Sequence, residues 1–294
     1  MTEPGPSGIL FVTGTGTGVG KTVATAAVAA LAHAAGRRVA VVKLAQTGVH
    51  DGPGSDTPDL ETVTRLAAVT DTHELARYPD PLSPEAAARV AGWPPVDLGR
   101  AAGLIDDLSA TRDLVLVEGA GGLLVRYDAD GRTLADLAAD LSAAALVVVP
   151  AGLGTLNQTA LTLEAMQARK ISLGGVLIGS WPSGPGLAER ENLGDLAEIA
   201  GEPLSGLLPA GSGTLPHQEF LAVARAGLTP RLGGQWAASP AVRPLPLLPA
   251  GRGRRPPAGR TRRRCRAVAG PPPGPPGTGR RSCPPGHRRR SRRG

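Results

Sequence analysis

Cysteine is missing from this 294-residue chain ahead of Cys265; that residue and Cys283 are the two it has. No disulfide framework can therefore hold the larger part of the chain together. No apolar run approaches the roughly 18 residues of a membrane-spanning helix. The opening MTEPGPSG has no basic segment followed by an apolar stretch. These absences lead to the expectation of a soluble, cytoplasmic protein without a membrane partner. The histidines His33, His50, His73, His217 and His287 show no metal-ligand spacing, and no G-x-S-x-G element is present. Zinc and serine-hydrolase chemistry are set aside on that ground.

Negative charge is absent from the end of the chain. Residues 236–294 carry about 16 arginines and no lysine, aspartate or glutamate. The formal charge of +7 therefore describes the end rather than the whole, and the remainder stands near −9. After about residue 232 the sequence turns to proline, glycine and arginine, as in PPPGPPGTGRRSCPPGHRRRSRRG. Too few apolar side chains remain there to offset the entropy of ordering. Residues 1–232 are read as one folded domain and 233–294 as a disordered tail, with a basic RNA-binding arm as the sharper alternative.

What is present in the first part alternates. Short β-branched runs, GILFVT (8–13), VAVVK (39–43), LVLVE (114–118), ALVVVP (145–150), GGVLIG (174–179) and LSGLLP (204–209), are separated by longer Ala/Leu-rich segments. The strand candidates are apolar on both faces, as in a parallel sheet covered by helices on each side. Helices are predicted at about 21–35, 59–69, 84–91, 97–110, 133–141, 155–169, 187–200 and 216–226. Ser83 before Pro84 offers an N-cap followed by a proline at the first helical position. The fold class is α/β, a mostly parallel central sheet in three layers, and ligands are expected beyond the strands' carboxyl ends.

Three segments carry chemistry. TGTGTGVGKT (13–22) ends as a phosphate-binding loop, although the glycine expected five positions before Gly20 is displaced to Gly14 and Thr15 takes its place. Backbone N–H groups around Gly18, Val19 and Gly20 would cradle phosphate oxygens at the start of a helix, Lys21 would neutralise phosphate charge, and Thr22 would ligate Mg²⁺. LVLVEGAGG puts Glu118 at a strand's carboxyl end, where a P-loop fold places the carboxylate for nucleotide-bound magnesium. Gly119, Gly121 and Gly122 would let the backbone approach a ligand, or serve as a plain exit from the strand. VVKLAQTG puts Lys43 at the end of the second strand beside Thr47 and Gly48, able to meet an anion; an exposed strand-end lysine is the plainer reading. Asp56 and Asp59, near a helix start, are open to capping or metal binding, and spacing does not choose between them.

Taken in order, TGTGTGVGKT, KLAQTG, DLETVTRLA, RYPDPLSPEAAA, VEGAGGLLV, GLGTLNQTALTLEA and IGSWP resemble the dethiobiotin synthetase family over roughly residues 8 to 230. The extra residue between Gly14 and Gly20 is itself typical of that family. The resemblance implies a P-loop fold and an enzyme that takes 7,8-diaminononanoate and CO₂ or bicarbonate, phosphorylates the carbamate with ATP and closes a ureido ring. It implies that Lys21 contacts the transferring phosphoryl group, with Mg²⁺ held by Thr22, Asp59 and Glu118. Lys43 and Thr47 would stabilise the carbamate and its phosphorylated form. ATP would also meet Val23, Gly119, Ala120, Gly121, Gly179, Ser180, Pro209, Ala210 and Gly211, and the substrate would meet Thr47, Gly121, Gly122 and Asn157. Substrate at the interface of a homodimer follows from the same resemblance. Leu44 stands where the family commonly has proline, Gln158 where close relatives often have histidine, and Gly18 where some have an acidic residue. A ParA/MinD-like ATPase with a DNA-binding tail is the alternative; it would need a further lysine early in the loop, and Gly14, Gly16 and Gly18 leave no such residue.

Overall fold

The structure, a computed structural model, describes residues 5–49 and 57–237. All of these lie in the compact unit Met1–Ala250, and the unit Gly251–Gly294 lies outside the described residues. His50, Asp56, both cysteines and the arginine-rich segment from residue 238 onward also lie outside them.

The chain begins β1 (Gly8–Gly14), α1 (Lys21–Ala34), β2 (Val39–Lys43), β3 (Gln46–Thr47), α2 (Asp59–Ala67), β4 (Thr72–Glu74) and β5 (Arg77–Tyr78). It continues through α3 (Pro84–Ala91), α4 (Leu98–Ser109), β6 (Leu114–Glu118), α5 (Leu134–Asp140), β7 (Ala144–Pro150) and α6 (Thr155–Ala168). Then follow β8 (Leu173–Trp181), α7 (Leu187–Ala200), β9 (Gly206–Pro209) and α8 (His217–Gly227). Seven strands form one sheet in the order β4-β2-β6-β1-β7-β8-β9, with every neighbouring pair parallel.

The alternation of side chains along each strand divides the core in two. Leu10 and Val12 of β1, Val39 and Val41 of β2, and Leu114 and Leu116 of β6 pack beneath α1, α2 and α8. Phe11, Ala40, Val42, Val115 and Val117 face the other way, toward α4, α5 and α7. This is the three-layer α/β arrangement expected from strands apolar on both faces. In α1 the alanines Ala26, Ala27, Ala29 and Ala30 are fully buried apart from a trace at Ala30, so small side chains let this helix lie close against the sheet.

The long strands and all eight helices fall within a residue or two of their predicted spans. The short strands β3, β4 and β5 were not expected. At two or three residues each they carry no readable period, and they form by pairing: β4 adds to the edge of β2, and β3 pairs β5 in a separate ladder. Ser83 does stand before α3 with Pro84 at its first turn, but its hydroxyl makes no capping bond. The N–H of Glu85 goes to the carbonyl of Arg126 instead, so a tertiary acceptor replaces the local one. Thr133 shows the opposite outcome: it forms a capping box with Asp136 at the start of α5.

Candidate active site

The loop after β1 explains its own spacing. A Cβ on Gly14 would lie 2.6 Å from Val19 Cγ2, 3.0 Å from the Val148 carbonyl and 3.2 Å from Lys21 Cγ. The side chains that close the loop thus lie on the end of β1, and the glycine is needed there rather than at Thr15. Thr15 is held through its N–H to the Val148 carbonyl, 3.1 Å. Gly18 and Gly20 adopt left-handed backbone, with φ of 74° and 98°. A Cβ on Gly20 would come within 2.6 Å of the Gly179 carbonyl, and one on Gly179 would collide with the Val19 carbonyl. The phosphate-type loop is therefore seated backbone-to-backbone on the end of β8.

Lys21 opens α1, largely buried, and its ammonium donates to the carbonyl of Gly16 at 2.8 Å. Burial and then the charge of Lys43 lower its pKa to about 8, against the opposing pull of Glu118 and Asp59. One turn of loop away the structure gathers four further predicted residues. Lys43 Nζ lies 2.8 Å from Glu118 Oε1 and 2.6 Å from Asp59 Oδ2, and donates also to the Gly119 carbonyl at 3.3 Å. Strands β2 and β6 are neighbours in register, with Lys43 opposite Glu118, which is why two residues 75 positions apart meet. Thr22 Oγ1 touches Asp59 Oδ1 at 2.9 Å and Glu118 Oε1 at 3.0 Å.

Burial opposes the charge on Lys43 most strongly, but Glu118 and Asp59 outweigh it by charge and hydrogen bonding and hold its pKa above the ordinary lysine value. Burial likewise pushes Asp59 up, and Lys43, then Thr22 and Lys21, overcome it and leave the carboxyl below its ordinary value. The plain reading of Lys43 as an exposed strand end is overturned: it is 3% exposed. Capping is not the role of Asp59 either, since it is the first residue of α2 and Pro58 occupies the cap position.

These oxygens suit a hard cation. Thr22 has one proton for two carboxylate contacts, so one contact sets a lone pair against a negative oxygen. Glu118 Oε2 is buried with no partner among the described residues. A hydroxyl and two carboxylates are the kind of small oxygen set that magnesium takes from a protein when nucleotide phosphates and water supply the rest.

The remaining predicted residues are spread over several elements. The loop after β6 packs on the phosphate-type loop: a Cβ on Gly122 would lie 3.5 Å from the Gly14 carbonyl, and one on Gly121, at φ 68°, would lie 3.8 Å from Thr17 Oγ1. Ala120 spends its N–H on Tyr127 Oη at 2.7 Å. Val23 abuts the turn at Gly213. Ser180, Ala210 and Gly211 are exposed and Pro209 half-buried; Trp181 pairs with Pro209 and accepts the Ala210 N–H. Thr47 is half-buried in β3. Asn157 is exposed in the first turn of α6 and makes no hydrogen bond to the Lys43 group.

Two residues that matter to this geometry, Gln46 and Tyr127, went unpredicted. Gln46 accepts the Asp59 N–H at 3.0 Å and so sets the start of α2. Its only signal was its place in KLAQTG. Tyr127, fully buried, holds the loop after Glu118, and burial pushes its hydroxyl up to about 12. Leu44, at the position commonly proline in the resembled family, directs its N–H toward the Glu118 carbonyl at 3.4 Å, a contact no proline could make.

A parallel sheet whose first strand runs through a glycine loop into a Lys-Thr helix, beside a strand ending in a carboxylate, defines a P-loop nucleotide-binding protein. Residues 9–216 match the AAA domain family. The ATP-dependent dethiobiotin synthetase of Frankia casuarinae is 62% identical over 229 residues, 78% of this chain and 95% of its own. That of Saccharopolyspora erythraea is 57% identical over 229 residues, covering 78% and 99%. The chain belongs to the ATP-dependent dethiobiotin synthetase family. Among solved structures, the cell division ATPase MinD of Pyrococcus furiosus is 17% identical with a TM-score of 0.48, over 78% of this chain and 97% of its own.

Proposed function

We propose that this chain is an ATP-dependent dethiobiotin synthetase acting on 7,8-diaminononanoate, CO₂ and ATP. One amine adds to CO₂ and loses a proton, giving a carbamate. A carbamate oxygen then attacks the γ-phosphorus, ADP departs, and a carbamic–phosphoric mixed anhydride remains. The second amine attacks the carbonyl carbon, phosphate leaves with the old C–O bond, and loss of a proton completes the ureido ring.

The observation that supports this most is the Lys43 group beside the P-loop lysine, within a chain 62% identical to a dethiobiotin synthetase. In this reading Lys21 gives up the Gly16 carbonyl for the β- and γ-phosphates, and the N–H groups of Gly18, Val19, Gly20 and Val23 hold the remaining oxygens. Lys43 and Thr47 meet the carbamate. Thr22, Asp59 and Glu118 would hold Mg²⁺, which neutralises phosphate charge when bound with the nucleotide. Such catalysis consists of positioning and of cations aimed at developing negative charge, so rigid seating of the loop matters as much as the charges. Gly119, Ala120 and Gly121 meet ATP, and Gly121 and Gly122 meet the diamine. Gly179, Ser180, Pro209, Ala210 and Gly211 form the base end, with Gly179 contributing backbone only. The N-terminus of α6 with Asn157 would take the substrate's carboxylate from a second copy, in a cytoplasmic homodimer.

The test is direct. Purified protein given the diamine, bicarbonate and MgATP is expected to form dethiobiotin, ADP and phosphate in equal amounts, measured by mass spectrometry and phosphate release. Folded protein that binds ATP yet forms no dethiobiotin would reject the assignment.

A further inference from the structure

The two carboxylates assigned to magnesium have a cationic partner within the chain. Lys43 Nζ bridges them, 2.8 Å from Glu118 Oε1 and 2.6 Å from Asp59 Oδ2. The same ammonium is the one assigned to the carbamate, and it cannot serve both at once: its three protons are already directed at Glu118, Asp59 and the Gly119 carbonyl. The lysine also fills the cradle incompletely. Two carboxylates face one ammonium in direct contact, Glu118 Oε2 is buried without a partner among the described residues, and Thr22 has only one proton for its two negative neighbours. A divalent cation would supply the missing charge and use the oxygens that Lys43 leaves unsatisfied.

We propose that Lys43 acts as a resident counter-ion of the metal site, and that a divalent cation exchanges with it, releasing the ammonium to the anionic substrate group. This rests on the assignment of Thr22, Asp59 and Glu118 to the metal. The device makes the substrate cation available only once the metal is in place, so that a protein without metal keeps its carboxylates paired and its carbamate site without a cation. It also predicts competition: the positive charge of Lys43 weakens metal binding in the wild type by what it costs to displace it.

The chain has only three lysines, Lys21, Lys43 and Lys170, so the side-chain ammonium resonances can be followed individually by NMR on ¹⁵N-lysine-labelled full-length protein. Mn²⁺ affinity, without nucleotide and with ADP, is read by electron paramagnetic resonance, and diamagnetic Mg²⁺ is used for the NMR. The expected result has three parts. Mg²⁺ moves the Lys43 resonance and leaves that of Lys170 in place. Lys43→Met binds Mn²⁺ at least about tenfold more tightly than wild type without nucleotide. Lys43→Met gains more thermal stability from Mg²⁺ than wild type does. Mn²⁺ bound to wild type with ADP while the Lys43 resonance stays fixed would overturn the exchange and leave the metal assignment standing; this reading needs no variant. Failure of any form to bind Mn²⁺, with ADP present, would overturn both.

Discussion

Lys43 and Lys21 sit in one crevice and differ in what surrounds them. Lys43 has two carboxylates in contact and is held charged. Removing it takes a cation from the point where negative charge develops, so Lys43→Ala is expected to bind ATP, by fluorescence titration, and to lose turnover by about 10²–10³-fold. Turnover within a factor of two of wild type would reject its role. Among the described residues Lys21 has no carboxylate in contact, and burial lowers its pKa to about 8. Its folded value lies below the unfolded one. The proton is therefore held less tightly in the fold, and stability from this group is full above the unfolded value and lost as pH falls toward about 8. Phosphate favours the charged form, so ATP binding should draw a proton onto Lys21 above pH 8, and affinity should fall as pH rises further. Calorimetry at pH 8.5 in buffers of different ionisation enthalpy would detect that uptake; buffer-independent heats would contradict it. At this scale the sequence made Lys21, Thr22, Lys43, Asp59 and Glu118 legible because each stands next to glycines or at a strand or helix end. Gln46 and Tyr127 were not legible, because a glutamine or a tyrosine acting through one backbone N–H leaves no spacing to read.

Among the elements, the decisive contact is between the loop after β1 and the end of β8. Gly179 was expected to meet the nucleotide; the fold also gives it a packing reason for having no side chain. Gly179→Ala should push the loop off β8, weakening ATP binding and costing about 1–3 kcal/mol of stability, as overpacking does. Gly184→Ala, in the exposed turn after β8 with nothing within 4 Å of its would-be Cβ, should change stability by less than about 0.5 kcal/mol. Chemical denaturation of the pair checks both, and equal effects would contradict the seating. Long strands and helices were legible because their periods repeat over many residues. The two- and three-residue strands were not, because partners far along the chain create them, and Ser83 lost its capping role to the Arg126 carbonyl for the same reason.

For the whole molecule, composition separated an acidic folded part from a basic end near residue 232. The backbone continues to bond back slightly further: the N–H groups of Gln235 and Trp236 go to the carbonyls of Arg225 and Leu228. A chain ending at residue 237 keeps those bonds, and we expect it to stay soluble and to match full-length turnover in the product assay; aggregation or loss of turnover would mean the end belongs to the working protein. The sequence by itself determined the helices, the long parallel strands, the glycine loop and the kinds of group available, since these follow from local periodicity and from what each residue type can do alone. Only the tertiary structure decided that Lys43 is buried between Asp59 and Glu118 rather than exposed, that Gly14 yields to Val19 and Lys21, and that Gly179 bears the loop. Those outcomes depend on which strands become neighbours, and strand adjacency arises from the packing of the whole sheet rather than from any one segment.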